Sequence, residues 1–355
     1  MKSPAIVLAN RRFKTPNGKV AHGLIRGSDR FLVTAVVDPD CAGTDAGETL
    51  DGVRRGIPMV ASLEEALSVS DPAPRYCVVG IATHGGRFTA ELRAAVLDAV
   101  QRGLSIVNGL HDAASEDAEI AAAAQAADVE LIDLRKSPPK SALHFWEGDI
   151  LSVRAPRIAV LGTDCALGKR TTTRLLVQAL NDGGIRAEMI YTGQTGWMQG
   201  ARYGFVFDAV INDYVSGEVE HAIVSCDREV HPDIMVIEGQ SSLRNPSGPC
   251  GAEFLLSGGA RGVVLQHAVG REYFEGYEKQ KLRIPPVADE IALIAMYGAR
   301  TLAVTLNGAH VSKDELLAQQ KVYERELGIP VLCPLEEGLE RLVPVVEAYI
   351  EEQRT

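Results

Sequence analysis

Apolar and polar positions along the 355-residue chain alternate between strand-like runs and helical periods, in two successive series. In the first series, Phe31–Val37 is a β-branched apolar run closed by Asp38-Pro39, which predicts a buried strand. Residues 76–81 form a second such run, followed by the glycine turn Thr83-His84-Gly85-Gly86. Over 89–102, Leu92, Val96, Leu97 and Val100 recur at helical spacing until Gly103 ends the pattern. A strand at 104–107, a helix at 115–127 and a strand at 129–134 continue the alternation. The Ala-rich stretch 118–127 is a good helix former and not a low-complexity tract. Strand–helix–strand order with short glycine connections implies a parallel sheet with helices packed on its faces.

The pattern breaks between Arg135 and Pro156, where Ser137-Pro138-Pro139 continues neither a helix nor a central strand. A domain boundary is expected here, near residue 150, giving domains 1–150 and 151–355. That division fits a length prior of about 150 residues per domain. The second series restarts with a strand at 157–161, a glycine loop, and a helix at 169–181 that ends at Gly183-Gly184. Strands follow at Ala187–Tyr191, 234–237, 262–266 and 301–306, with a helix at 291–297. Val331–Leu332 and a helix at 339–351 close the edge. The fold class is α/β, and ligands are expected where the C-termini of the parallel strands open.

Composition narrows the function. The chain is 46% hydrophobic and 23% charged, as in soluble proteins that bury a full core. Its formal charge of −11 disfavours nucleic acid and anionic membrane as partners, because non-specific binding to either rests on a basic surface. No apolar run approaches the ~20 residues of a membrane span, and the first residues lack a signal-peptide pattern. Six cysteines are scattered singly, with no C-x-x-C and no zinc spacing. A cytoplasmic enzyme acting on a small-molecule substrate is expected, without a bound metal.

The most specific feature is Gly162-Thr163-Asp164-Cys165-Ala166-Leu167-Gly168-Lys169-Arg170-Thr171-Thr172-Thr173, placed between a predicted strand and a predicted helix. Successive N–H groups and a helix N-terminus make a positive concavity, glycines let the backbone approach an anion, and Lys169 adds a full charge. Two features depart from the usual phosphate loop. Five residues separate Gly162 from Gly168 instead of four. Arg170 follows the lysine, where a Ser or Thr would hold Mg²⁺. Thr171 and Thr172 come later, and one residue turns a side chain about 100° around a helix. Such a loop should bind polyanions well and hydrolyse nucleotides poorly, with Arg170 gripping phosphate.

Other polar clusters also end strands. Glu238-Gly239-Gln240-Ser241 follows an apolar strand, and Glu238 is placed to act as a base or to hold a substrate amine. Gln194, Thr195 and Gly196 lie in a glycine-rich segment that either forms a turn or binds a carboxylate or carbonyl. Arg271 and Arg244 suit a substrate carboxylate, and His267 sits beside Arg271 in sequence. His84-Gly85-Gly86-Arg87 and Asn108-Gly109-Leu110-His111 end neighbouring strands of the first domain and could close over the same cleft. Cys165, in the loop near a helix N-terminus, is a candidate nucleophile for a two-step transfer.

The run 162–169 resembles the loop of dethiobiotin synthetases, which have glycine-threonine-aspartate-threonine at the same spacing. Glu238-Gly239 and Asn307 are similar to that superfamily's layout, whereas Arg170 departs from its threonine. The whole chain resembles more closely a bacterial family of unknown-function domains that carries glycine-threonine-aspartate-cysteine, glycine-lysine-arginine-threonine and isoleucine-glutamate-glycine-glutamine. These motifs stand here at 162–171 and 237–240. The resemblance implies a Rossmann-like N-terminal domain and a P-loop NTPase-like C-terminal domain. The family includes D-glutamate N-acetyltransferases, which use acetyl-CoA and work with a racemase of the N-acetylated product.

It therefore implies acetyl transfer from acetyl-CoA to the α-amine of an acidic amino acid, D-glutamate first. An N-acetyl-amino-acid racemase is the implied pathway partner, and a homo-oligomer is expected, as is common in this class. Coenzyme A carries a pyrophosphate and a 3′-phosphate, so a phosphate loop without its Mg²⁺ ligand suits it. Gly162, Thr163, Cys165, Gly168, Lys169, Arg170, Thr171 and Thr172 would hold the coenzyme. Glu238 or Asp164 would accept the ammonium proton. N–H groups near Gly239 or Gly196 would stabilise the oxyanion, worth about 3–4 kcal/mol in comparable sites. Gln194, Thr195, Gly196, Gln240, Ser241, Arg244, His267 and Arg271 are the expected substrate contacts. The rival readings are an ATP-dependent ligase or kinase of the dethiobiotin synthetase type, which Arg170 opposes, and a nucleotide-binding regulator without turnover.

Overall fold

The computed structural model describes residues 2–354, with the side chain of His84 outside the described residues. Packing divides the chain into two compact units. The first runs to Pro138 and takes in Gln194–Ala201 from later in the chain; the second holds the rest. The division thus falls after Pro138, ahead of the boundary expected near residue 150. The buried Glu220 carboxylate explains the difference, because it accepts the N–H groups of Glu147 (2.6 Å) and Ile150 (3.0 Å) and draws this stretch into the second unit.

The first unit is built on six parallel strands: β1 (Ser3–Leu8), β2 (Phe31–Val37), β3 (Met59–Val60), β4 (Tyr76–Val79), β5 (Ser105–Asn108) and β6 (Leu131–Asp133). Their order, β3-β2-β1-β4-β5-β6, is the doubly wound order of dinucleotide-binding folds. Along β1, Ile6 and Leu8 pack into one core while Ala5 and Val7 pack into another, the period-2 signature of a strand covered on both faces. The segment read as either a turn or a carboxylate- or carbonyl-binding site forms a one-turn helix, Gln194–Met198, planted in this unit. Met198 is fully buried there, and the Gln199 amide donates to the carbonyls of Gly23 (2.7 Å) and Gly27 (2.9 Å). The Arg30 guanidinium stacks 3.9 Å from the Trp197 ring centre.

The second unit contains β7 (Arg157–Gly162), β8 (Ala187–Tyr191), β9 (Tyr203–Gly204), β10 (Ile234–Glu238), β11 (Gly262–Ala268), β12 (Arg300–Asn307) and β13 (Val331–Leu332). All pairings are parallel, in the order β13-β12-β11-β7-β10-β8-β9. The central strand β7 sends Ala159 and Leu161 to one core and Ile158 and Val160 to the other. It opens into the glycine loop, and the helix Lys169–Asp182 follows, with Gly183 as its cap. Because β10 and β11 flank β7, their C-terminal residues Glu238 and His267 are brought beside that loop.

Two long helices, Asn212–Val230 and Lys313–Leu327, were not anticipated by the hydrophobic pattern. The first mixes its apolar face with charge, since Glu220 is buried on it. The second buries Leu316 and Gln320 and is started by a capping box between Ser312 and Glu315. The C-terminal helix begins at Val343, later than expected, with a 3₁₀ turn at Glu340–Leu342 before it and Pro344 tolerated in its first turn. Among the described residues no helix is long and apolar enough to cross a membrane.

Candidate active site

The glycine loop forms the floor of the site. Gly168 (φ +95°) and Ala166 (φ +50°) turn the backbone back on itself before the helix begins. Gly168 is the helix N-cap and supplies no side-chain acceptor, so the first helical N–H groups are not capped by a side chain. Lys169 folds over the loop. A Cβ at Gly162 would stand 3.0 Å from its Cδ and 3.2 Å from its Nζ, so any larger residue there would press the lysine out of this position by a few tenths of an ångström. The Lys169 ammonium donates to the carbonyls of Asp164 (2.7 Å) and Ser241 (2.6 Å). Burial pushes its pKa down to about 8, against the pull of Asp164 and Glu238.

Asp164 holds the loop in shape. Its carboxylate is fully buried and accepts from Arg271 (2.9 Å), the Asn245 amide (2.8 Å) and the Glu275 N–H (2.8 Å). Arg271 also donates to the Cys165 carbonyl (2.7 Å) and pairs with Glu275 (2.7 Å). Thr163 shares a hydrogen bond of 2.9 Å with Nδ1 of His267. Burial, helped by Arg271, lowers the His267 pKa to about 4, so this ring is neutral near pH 7. The hydroxyls of Thr172 (2.5 Å) and Thr305 (2.7 Å) both donate to the Gln266 amide oxygen, and the Asn307 amide donates to the Leu167 carbonyl (2.7 Å). The helix is thereby locked against the ends of β11 and β12.

Glu238 is the second buried carboxylate beside the loop. It ends β10, is 4% exposed, and accepts the Thr192 N–H at 3.1 Å. Burial pushes its pKa up, opposed by Arg170, by the N–H groups of Thr192 and Gly193, and by Lys169. Arg170, half-buried on the first helical turn, thus acts electrostatically on the strand-end acid from the position where a metal-binding hydroxyl is usual. Thr171, also half-buried, lies next to it. The Gln240 amide donates to the Thr192 hydroxyl (3.0 Å), which donates in turn to the Glu238 carbonyl (2.6 Å). Cys165, half-buried, lies with its Sγ 3.2 Å from the Ser241 hydroxyl.

The structure therefore gathers 162–172, Glu238, Gln240, Ser241, His267 and Arg271 at one end of the second sheet. Arg244 turns elsewhere, pairing with the buried Glu290 at 2.7 Å. Gln194, Thr195 and Gly196 belong to the first unit. There the Asn108 amide binds Asp133 (2.7 Å) and the Asp112 carbonyl (2.8 Å), a structural use. Sequence reasoning assigned no role to Asn245, Gln266 or Glu290; the signal available was that Asn245 sits in an Arg-Asn-Pro turn and Gln266 directly precedes His267. Cavities of about 370 and 410 Å³ open around Arg300 at the start of β12, and neither is lined by the phosphate loop.

Residues 144–343 match the family described as "Domain of unknown function (DUF1611_C) P-loop domain". The chain belongs to the DUF1611 family. Residues 39–137 match its Rossmann-like N-terminal partner, DUF1611_N. Relatives of this DUF1611 protein include a D-glutamate N-acetyltransferase of Tritonibacter scottomollicae, 29% identical over 81% of this chain and 84% of its own. A second, from a Pseudoalteromonas species, bears the same name and is 28% identical over 75% of this chain and 79% of its own. The crystal structure of a DUF1611 family protein from Anabaena variabilis is similar over 98% of this chain and 100% of its own, with a TM-score of 0.88 and 28% identity.

Proposed function

We propose that this protein is an N-acetyltransferase that moves the acetyl group of acetyl-CoA to the α-amine of an acidic amino acid, with D-glutamate as the first candidate. One observation carries the reading: a phosphate loop with Arg170 in place of the metal-binding hydroxyl stands beside a buried, amide-cradled Glu238. The relatives named D-glutamate N-acetyltransferase support it. The donor set fits a phosphorylated carrier, since loop N–H groups, Lys169 and Arg170 supply fixed positive charge without a metal.

Glu238 takes a proton from the substrate ammonium, because only the free amine attacks. The nitrogen then bonds to the acetyl carbonyl carbon, the carbon–sulfur bond breaks, and the second proton shed by the nitrogen passes to the departing sulfur, so that the coenzyme leaves as its thiol. Glu238 suits the base role better than Asp164, whose carboxylate is occupied by Arg271, Asn245 and the Glu275 N–H. Arg271 is committed to Asp164 and Arg244 to Glu290, so a substrate carboxylate needs a donor other than these two in their present pairings.

Incubation with acetyl-CoA and either D- or L-glutamate, followed by thiol release, tests the proposal. Release that depends on an acidic amino acid is expected. No release with any acidic amino acid would remove it.

A further inference from the structure

The segment after β10 is tied to the phosphate loop at three points. The Ser241 carbonyl accepts from the Lys169 ammonium at 2.6 Å, the Ser241 hydroxyl meets Cys165 Sγ at 3.2 Å, and the Asn245 amide donates to Asp164 at 2.8 Å. Ser241 makes these contacts with φ at +34°, in the left-handed region that a residue with a Cβ avoids. Such a conformation persists only where its surroundings hold it. Here the surroundings include the one ammonium that the loop would offer to phosphate. A phosphate oxygen carries a full charge and a peptide carbonyl only a dipole, so an arriving anion competes for Lys169 on favourable terms.

We propose that Ser241 is a strained latch: the hydrogen bond from Lys169 holds it closed, and phosphate bound in the loop withdraws the lysine and lets residues 240–242 relax. The side chain that moves with it is Gln240, which braces Thr192 in the cradle of Glu238. Phosphate at one end of the site thereby resets the surroundings of the carboxylate at the other. Resting on the acetyl-transfer reading, the latch imposes an order, with coenzyme bound before amino acid.

The test uses inorganic pyrophosphate as the probe, so that it does not depend on turnover. Ser241→Ala and Ser241→Gly both lack the hydroxyl and differ in strain, because glycine adopts the left-handed conformation freely. Relieving the strain favours the closed state, so Ser241→Gly should bind pyrophosphate about tenfold more weakly than Ser241→Ala. In the unmodified protein, hydrogen exchange of amides 240–250 should quicken when pyrophosphate is added. Equal affinities of the two variants, or unchanged exchange at saturation, would overturn the latch. If thiol release persists in that case, the acetyl-transfer reading survives alone. Failure of pyrophosphate to bind the unmodified protein would overturn the latch and the coenzyme site together.

Discussion

At the scale of single residues, two buried carboxylates differ in their surroundings, and the proposed reaction gives them opposite duties. Asp164 is bound on three sides and anchors the loop, whereas Glu238 carries a raised pKa beside two cations. Glu238→Gln removes a proton acceptor and should lower thiol release by about 10²- to 10⁴-fold. Its melting temperature should hold or rise, because burial makes the ionised carboxylate costly to fold. Asp164→Asn breaks the Arg271 pair and should cost stability outright, on the order of 3–5 kcal/mol for a buried pair that loses one partner.

Glu238 and Lys169 set the pH dependence expected of the proposed reaction. In the proposed base role Glu238 acts ionised, so rate should fall as pH drops through a value above the ordinary 4.5. Lys169 must be charged to grip phosphate, so coenzyme affinity falls as pH rises through about 8. The folded Lys169 binds its proton less tightly than the unfolded one, whose pKa is near 10.5, so its contribution to stability grows with pH across that interval. A pH–rate profile with paired coenzyme titrations checks both limbs. The sequence shows Lys169, Arg170 and Glu238 plainly, because motif and strand end coincide. It does not show that Asp164, Arg271 and Arg244 are spoken for, since their partners Asn245, Glu275 and Glu290 are brought to them only by tertiary packing.

At the scale of elements, the site depends on how closely β10 and β7 run. A Cβ at Gly239 would sit 2.1 Å from the Val160 carbonyl, a separation that forces backbone to move. Gly239→Ala should therefore shift the end of β10, lower the melting temperature and impair thiol release together; a variant with normal melting and activity would show that the strand end tolerates displacement. Ten of the thirteen strands among the described residues were legible, because β-branched runs such as Phe31–Val37 and 262–266 need no partner to be recognised, whereas β1 and the two-residue β3 and β9 were not read. The helix Lys19–Arg26 carries Gly23 in its interior, and Asn212–Val230 interleaves Glu218, Glu220 and His221 with its apolar residues, so neither declares itself. Their apolar faces become evident only against the sheet.

At the scale of the molecule, strand order explains why chemistry collects where it does. In the second unit β7 is central, with β10 on one side and β11 on the other, so the loop, Glu238 and His267 converge although 105 residues of sequence separate the first position of the loop from His267. Two α/β sheets could be read from the alternation of runs. The assignment of Gln194–Ala201 to the first unit could not, because a segment that leaves one core to enter another keeps its local composition. The central claim is that the loop holds a phosphorylated carrier by Lys169, Arg170 and main-chain N–H groups, with no divalent ion in the grip. Calorimetric titration of coenzyme A and of ATP, each with Mg²⁺ and with a chelator, tests it most directly. The account predicts coenzyme A binding of equal strength in both conditions, lost in Lys169→Ala; ATP binding that requires Mg²⁺, with no binding of coenzyme A, would contradict it.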